Sequence, residues 1–161
     1  MAGQIVIRER LPRDADWSEG VLVEAWGSGR IVTRGRLHDA NRQPALVAES
    51  AGRPAGLLTY RTEGAECELL TLNSILKRRG VASALIERLV VVARDAACWR
   101  IWLVTSNDNT PALRFYQRRG FRLVAIHRGA LAAARALKPG ISAVGIDGIP
   151  LCDEIELELL L

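Results

Sequence analysis

Three consecutive segments in the middle of the chain constrain its fold more than any other feature. Residues 66–72 read as a strand on which Glu66, Glu68, Leu70 and Leu72 share one face, because side chains alternate sides along an extended chain. Over residues 81–96, Val81, Leu85, Leu89 and Val92 line one side of a helix while Ser83, Glu87, Arg94 and Asp95 line the other, which is the pattern of a helix lying on a sheet. Residues 99–104 are a nearly continuous apolar run, Trp-Arg-Ile-Trp-Leu-Val, suited to a parallel strand covered on both faces. A strand, a helix and a strand in this order form a crossover between parallel neighbours.

The flanks supply further elements. Residues 4–10 read as a first strand, followed by a helix that starts near Pro12, Asp14 and Asp16, carries Trp17, Val21, Leu22, Ala25 and Trp26, and ends in Gly27-Ser28-Gly29. Residues 34–44 are polar and aperiodic and read as a loop, and residues 45–49 and 55–60 form an antiparallel hairpin about Ala51-Gly52-Arg53-Pro54. Downstream, Thr110 is the candidate N-cap of a helix with Pro111 at its first position and Gly120 at its end. A strand over 121–126, a short helix over 130–137, a Gly-rich connection over 138–150 and a cleanly alternating strand over 154–159 complete the order. Strands early, a crossover in the middle and strands late describe a mixed α/β sheet, and residues 1–161 suit a single domain.

Several function classes lose support. No apolar run approaches the roughly 20 residues of a membrane-spanning helix, and residues 1–10 lack the charged-then-apolar design of a leader, so the expectation is a cytoplasmic chain with no membrane partner. Three cysteines without CxxC spacing and two histidines imply reduced thiols and no metal. The formal charge of +4 comes from acids and bases mixed along the chain, so it suits a small polyanion such as a nucleotide cofactor as well as a nucleic acid. A nucleic-acid surface would draw on Arg30, Arg34, Arg36 and Arg42 with the basic cluster at 77–79, but the exposed-aromatic motifs of RNA binders are missing.

Lys77, Arg78, Arg79, Gly80, Val81 and Ala82 open the long helix. The first backbone N–H groups of a helix lack partners and lie at the positive end of its dipole, where Gly80 allows an anion close approach and the three cations add charge. By itself this segment reads equally as an anion cradle or as a helix start with solvated charges. Neither the phosphate loop GxxxxGK[ST] nor a GxGxxG after the first strand occurs.

Lys77, Gly80 and Ala82, followed one strand later by Asn109, Ala112, Phe115, Tyr116, Gly120 and Phe121, resemble in order and spacing the two motifs of the Gcn5-related N-acetyltransferase (GNAT) superfamily. The resemblance is clear over residues 66–124, with Lys77 standing where the family prefers Arg or Gln. It implies a GNAT-like fold: a mixed, mostly antiparallel central sheet with a splayed parallel strand pair and flanking helices. It also implies acetyl-CoA as co-substrate, an amine acceptor that is a small molecule or a peptide, and direct attack in a ternary complex. On this resemblance the cofactor contacts are the backbone of Leu70 and Leu72, the segment Lys77, Arg78, Arg79, Gly80, Val81 and Ala82, and Asn109 and Tyr116. The Leu72 N–H matches the donor that polarises the thioester carbonyl, and Tyr116 matches the general acid.

Glu68, on the cofactor strand, is the candidate base by position, ahead of Glu66, while Asp153 and Glu154 could attract a cationic acceptor but, as turn and edge residues are often acidic for solubility, carry no catalytic assignment. The acceptor site would be shaped by residues 17–42 and 129–153, with Trp17 and Trp26 anchoring the first helix. A ping-pong route through Cys67, Cys98 or Cys152 would need a neighbouring base, and neither His38 nor His127 lies near one in sequence, so direct transfer is favoured; Cys67 and Cys98 read as small buried apolar residues. A homodimer is left open. The alternatives are an acyl-CoA-binding module without turnover, against which Tyr116 speaks, and a nucleic-acid-binding domain.

Overall fold

The computed structural model describes residues 3–161; Met1 and Ala2, which open the stretch read for a leader, lie outside the described residues. Its strands are β1 (Ile5–Glu9), β2 (Arg30–Thr33), β3 (Arg36–Asp39), β4 (Ala45–Ser50), β5 (Arg53–Glu63), β6 (Glu66–Ser74), β7 (Arg100–Ser106), β8 (Arg122–His127) and β9 (Glu154–Leu160). Its helices are α1 (Ala15–Trp26), α2 (Val81–Asp95), α3 (Thr110–Gln117) and the single turn α4 (Ala130–Ala134). Seven strands form one sheet in the order β1-β4-β5-β6-β7-β9-β8, with β2 and β3 paired apart from it. Every neighbour in the large sheet is antiparallel except β6 and β7, the pair joined through α2. This is the mixed, mostly antiparallel sheet with flanking helices expected from the sequence. No helix among the described residues is long and apolar enough to cross a membrane.

Two apolar clusters sandwich the sheet. On one face α2 and α3 lie against Leu46, Leu58, Leu69, Ile101, Leu103 and Leu157, with Leu85 and Leu89 of α2 fully buried. Truncating either leucine to alanine would cost about 2–5 kcal/mol. On the other face Leu22 of α1 and Ile31 of β2 pack on Val47 and Leu57, and Trp17 anchors the helix there as expected.

Three local expectations are corrected. Residues 34–44 are not a loop: β2 and β3 form a hairpin about Arg34 and Gly35, both in the left-handed region, followed by a short 3-10 turn at Ala40–Arg42. Two consecutive positive-φ residues make the turn whose twist suits a two-residue hairpin. The N-cap of α3 is Asn109, whose side chain accepts from the Ala112 N–H at 3.2 Å, and Thr110 is already helical. α4 stops at Ala134, short of the 130–137 expected.

The fourth correction positions the site. Across β5 and β6, Thr59 faces Thr71 and Tyr60 faces Leu69, so Leu70 is an extra residue without a partner on β5. Such a bulge shifts the alternation by one. Glu66 and Glu68 therefore do not share a face with Leu72: Leu72 packs against the α2 cluster, while Leu70 is aimed at a cavity under α1.

Candidate active site

Beyond the bulge the two parallel strands separate. β6 pairs with β7 only at Glu66 with Arg100, Cys67 with Ile101 and Glu68 with Trp102, although β6 runs on to Ser74 and β7 to Ser106. Among the described residues, positions 69–74 of β6 thus have no strand partner on the β7 side. Unpaired backbone donors and acceptors of this kind are ready to bind an extended ligand as a further strand would. The gap holds a cavity of about 110 Å³, with Leu70 and Leu72 on one wall, Val104 and Thr105 on the other, and Asn109 and Tyr116 at its end.

Tyr116 reaches the gap from α3. Its ring sits edge-on between Phe115 and Phe121 and only 8% of the residue is exposed. Burial pushes the phenol well above its ordinary value, so it stays protonated at any working pH. Phe121 is core, as assigned. Asn109 both caps α3 and lines the gap.

At the β6 end of the gap the chain turns into α2. Gly80, at φ 75°, is the N-cap and offers no side-chain acceptor to the first turn, so the leading N–H groups remain uncapped. A Cβ on Gly80 would meet nothing within 4 Å, which leaves the approach to these donors open. Lys77, Arg78 and Arg79 are exposed around it, whereas the Val81 side chain is buried in the core and can offer a ligand only its backbone. Beside this turn, Arg119 donates to the Ser83 hydroxyl at 2.7 and 3.0 Å and stacks on Phe115, so the α2 and α3 ends are tied together. Cations, an uncapped helix end and an open approach fit a phosphate-bearing ligand.

On the opposite face a second cavity, of about 350 Å³, opens onto the same gap. Trp26, Ile31 and Thr33 line it from the α1 side, Leu131, Lys138 and Leu151 from the segment after β8, and Leu70 and Asn109 from the gap. Both segments expected to shape an acceptor site contribute to it. Trp26 is thus more than an anchor: it is 40% exposed, lines both cavities, and donates from Nε1 to Asn73 Oδ1 at 3.3 Å. Lys138 fastens the two walls, its Nζ donating to the carbonyls of Trp26 and Arg30 at 2.7 and 2.8 Å.

The carboxylates divide into two groups. Glu68 is 2% exposed and both its oxygens are held, Oε1 by the Thr33 hydroxyl at 2.5 Å and Oε2 by Arg61 at 3.1 Å. Since that hydroxyl gives its proton to Glu68, His38 Nε2, 2.9 Å away, donates to the Thr33 oxygen. Burial lowers the His38 pKa, against the pull of Glu68, so the ring is neutral. Glu68 faces a separate pocket with Arg61, Glu66 and Trp102 rather than the cavity under α1. Glu66 is paired with Arg100, at 3.0 Å.

Glu154 does line the cavity under α1. It is 2% exposed, Oε2 accepts from the Arg34 N–H at 3.1 Å, and Oε1 has no partner among the described residues. The sequence places Glu154 with Asp153 as residues able to attract a cationic acceptor but gives neither a catalytic role, because turn and edge residues are often acidic for solubility. The usable signal was that β9 would sit inside the sheet, where both faces are covered. Asp153 instead accepts from the Gly129 N–H at 2.8 Å and holds the start of α4. Cys67 and Cys98 are buried as expected, and burial pushes the Cys67 thiol up to about 12, far from a nucleophile.

The family model for the acetyltransferase (GNAT) family matches residues 10–121. The uncharacterized protein YdhI of Bacillus subtilis is 34% identical over 131 residues, which cover 81% of this chain and 82% of that protein. Among solved structures, an IAA acetyltransferase from Bacillus cereus superposes with a TM-score of 0.75 at 20% identity, covering 98% of this chain and 100% of the other. A Bacillus subtilis acetyltransferase in complex with CoA superposes with a TM-score of 0.67, also at 20% identity, covering 99% of both.

Proposed function

The chain belongs to the acetyltransferase (GNAT) family and is an acyltransferase, and from that premise we propose that it carries an acetyl group from acetyl-CoA directly to an amine, acting as one domain. The observation that carries this reading is the continuity of three features: the unpaired edge of β6, the gap between β6 and β7, and the uncapped start of α2 behind Gly80. An extended arm with a pyrophosphate at one end fits that path. The Bacillus subtilis structure solved with CoA supports the same ligand.

Acetyl-CoA supplies an acyl group already activated as a thioester. The chain's part is to hold, orient and move protons. The backbone of Leu70 and Leu72 borders the arm, and the Leu72 N–H is the donor assigned to the carbonyl oxygen. Gly80, Val81 and Ala82 offer backbone N–H groups to the phosphates, with Lys77, Arg78 and Arg79 around them. The lysine meets phosphate as a point charge where an arginine would offer a fork. Asn109 fixes the end of the gap and Tyr116 is placed to give its proton to the departing sulfur. Glu68, bound by Thr33 and Arg61, serves to hold β2 against β6.

The acceptor amine approaches through the cavity under α1, opposite the phenol. The test is a thermal-shift titration with acetyl-CoA followed by assay of thiol release over a panel of amines. Stabilisation by the cofactor, and release that depends on added amine, are the expected results. Absence of any shift at millimolar acetyl-CoA would overturn the assignment, and a shift without release for any amine would leave a binding module in its place.

A further inference from the structure

The cavity under α1 has one feature that acetyl-CoA does not account for. Glu154, at the start of β9, is almost completely removed from solvent, yet Oε1 has no hydrogen-bond partner among the described residues. A buried carboxylate oxygen left unpaired costs free energy that a complementary donor in the cavity would recover. Among the described residues no cation bonds Oε1, although His127 and Arg34 act on the carboxyl from a distance. The Arg34 backbone N–H holds Oε2, and His127, paired across β8 and β9, bonds Glu156 instead. The Arg34 side chain also turns to Glu156, at 3.5 Å, Glu68 adds like charge from β6, and Lys138 is spent on two carbonyls.

We propose that Glu154 receives the ammonium group of the acceptor and takes a proton from it, and that the acceptor is a small primary amine on an apolar body. The inference deepens the acetyltransferase reading and rests on it. One proton moves from the ammonium nitrogen to Glu154 Oε1 and later to solvent; the freed electron pair forms the N–C bond as the C–S bond breaks, the thiolate takes the Tyr116 proton, and the second proton lost by the acylated nitrogen restores the phenol. Burial raises the Glu154 carboxyl above the usual carboxylate range, which makes its ionised form a better base. The substrate class follows from the walls. Trp26, Ile31, Val32, Leu131, Ile141 and Leu151 are apolar, and about 350 Å³ is near the small end of ligand sites. Lys138, the cation on this wall, is already held by two carbonyls, so a carboxylate on the acceptor would have to compete with those bonds, and a polyamine would find one carboxylate for its several charges.

The experiment compares wild type with Glu154→Gln, which keeps an acceptor for the Arg34 N–H and removes the charge. Substrates are 2-phenylethylamine, hexylamine, spermidine and lysine. Expected are an unchanged acetyl-CoA thermal shift in the variant and kcat/KM for 2-phenylethylamine lowered by about a hundredfold or more. The acid limb of the wild-type pH profile should be absent in the variant, and both apolar amines should exceed spermidine and lysine by at least about tenfold. Equal kcat/KM in the two proteins, or preference for spermidine or lysine, overturns the proposal. So does failure of both apolar amines in a wild-type protein that acetyl-CoA stabilises. A wild type with no acetyl-CoA shift instead overturns the cofactor reading beneath it.

Discussion

Leu70 and Leu72 stand two residues apart on one strand and face opposite sides of the sheet, because Leu70 is the unpaired residue of a bulge. This one-residue slip sends Leu72 into the core under α2 and aims Leu70 into the cavity under α1. It also lies where β6 and β7 part company, so the bend of the bulged strand and the opening of the gap coincide.

At the other end of the gap, Gly80→Asp should weaken acetyl-CoA by about ten- to hundredfold, since the new carboxylate would sit at the positive end of α2 and repel phosphate. Gly80→Ala is the control: at φ 75° it strains the backbone without adding charge, so its affinity loss should be much smaller. Calorimetric titration of both variants separates the two effects.

Tyr116→Phe should lower kcat by about a hundredfold or more while acetyl-CoA affinity and melting temperature stay near wild type. Phenylalanine keeps the ring that packs edge-on against Phe115 and Phe121. Unchanged kcat in steady-state assays would remove the phenol from the acid role.

Lys138→Met should raise KM for the amine severalfold with little effect on the acetyl-CoA thermal shift. The ammonium ties the segment after α4 to the carbonyls of Trp26 and Arg30, and those two segments are walls of one cavity.

Away from the site, Arg8 binds Asp14 at 2.7 Å and its hydrogen bond holds that carboxyl down at about 2. A folded pKa below the unfolded one means the stabilisation is complete above the ordinary aspartate range and is lost as pH falls toward 2. Asp14→Asn should therefore cost about 1–3 kcal/mol at neutral pH, and the gap in chemical-denaturation stability should close in acid.

Much of the fold was legible because its signals are local. The stripe of Val81, Leu85 and Leu89 predicts α2, the Asn109 to Pro111 stretch predicts the start of α3 to within one residue, and the alternation over 154–159 predicts β9. The hairpin of β2 and β3 was missed because Arg34 takes a left-handed conformation that usually calls for Asn, Asp or Gly, leaving Gly35 as the sole turn signal.

The sequence by itself determined the element order, the crossover that makes β6 and β7 parallel, and the glycine-led start of α2. Each depends on periodicity or backbone preference within a few residues. Only the tertiary structure decided that Leu70 is bulged, that Glu68 is bound on both oxygens and that Glu154 is buried with one oxygen unpaired. Register and burial are set by partners far away in the chain: Thr59 and Tyr60 displace Leu70, Thr33 and Arg61 occupy Glu68, and α1 with the segment after α4 covers Glu154.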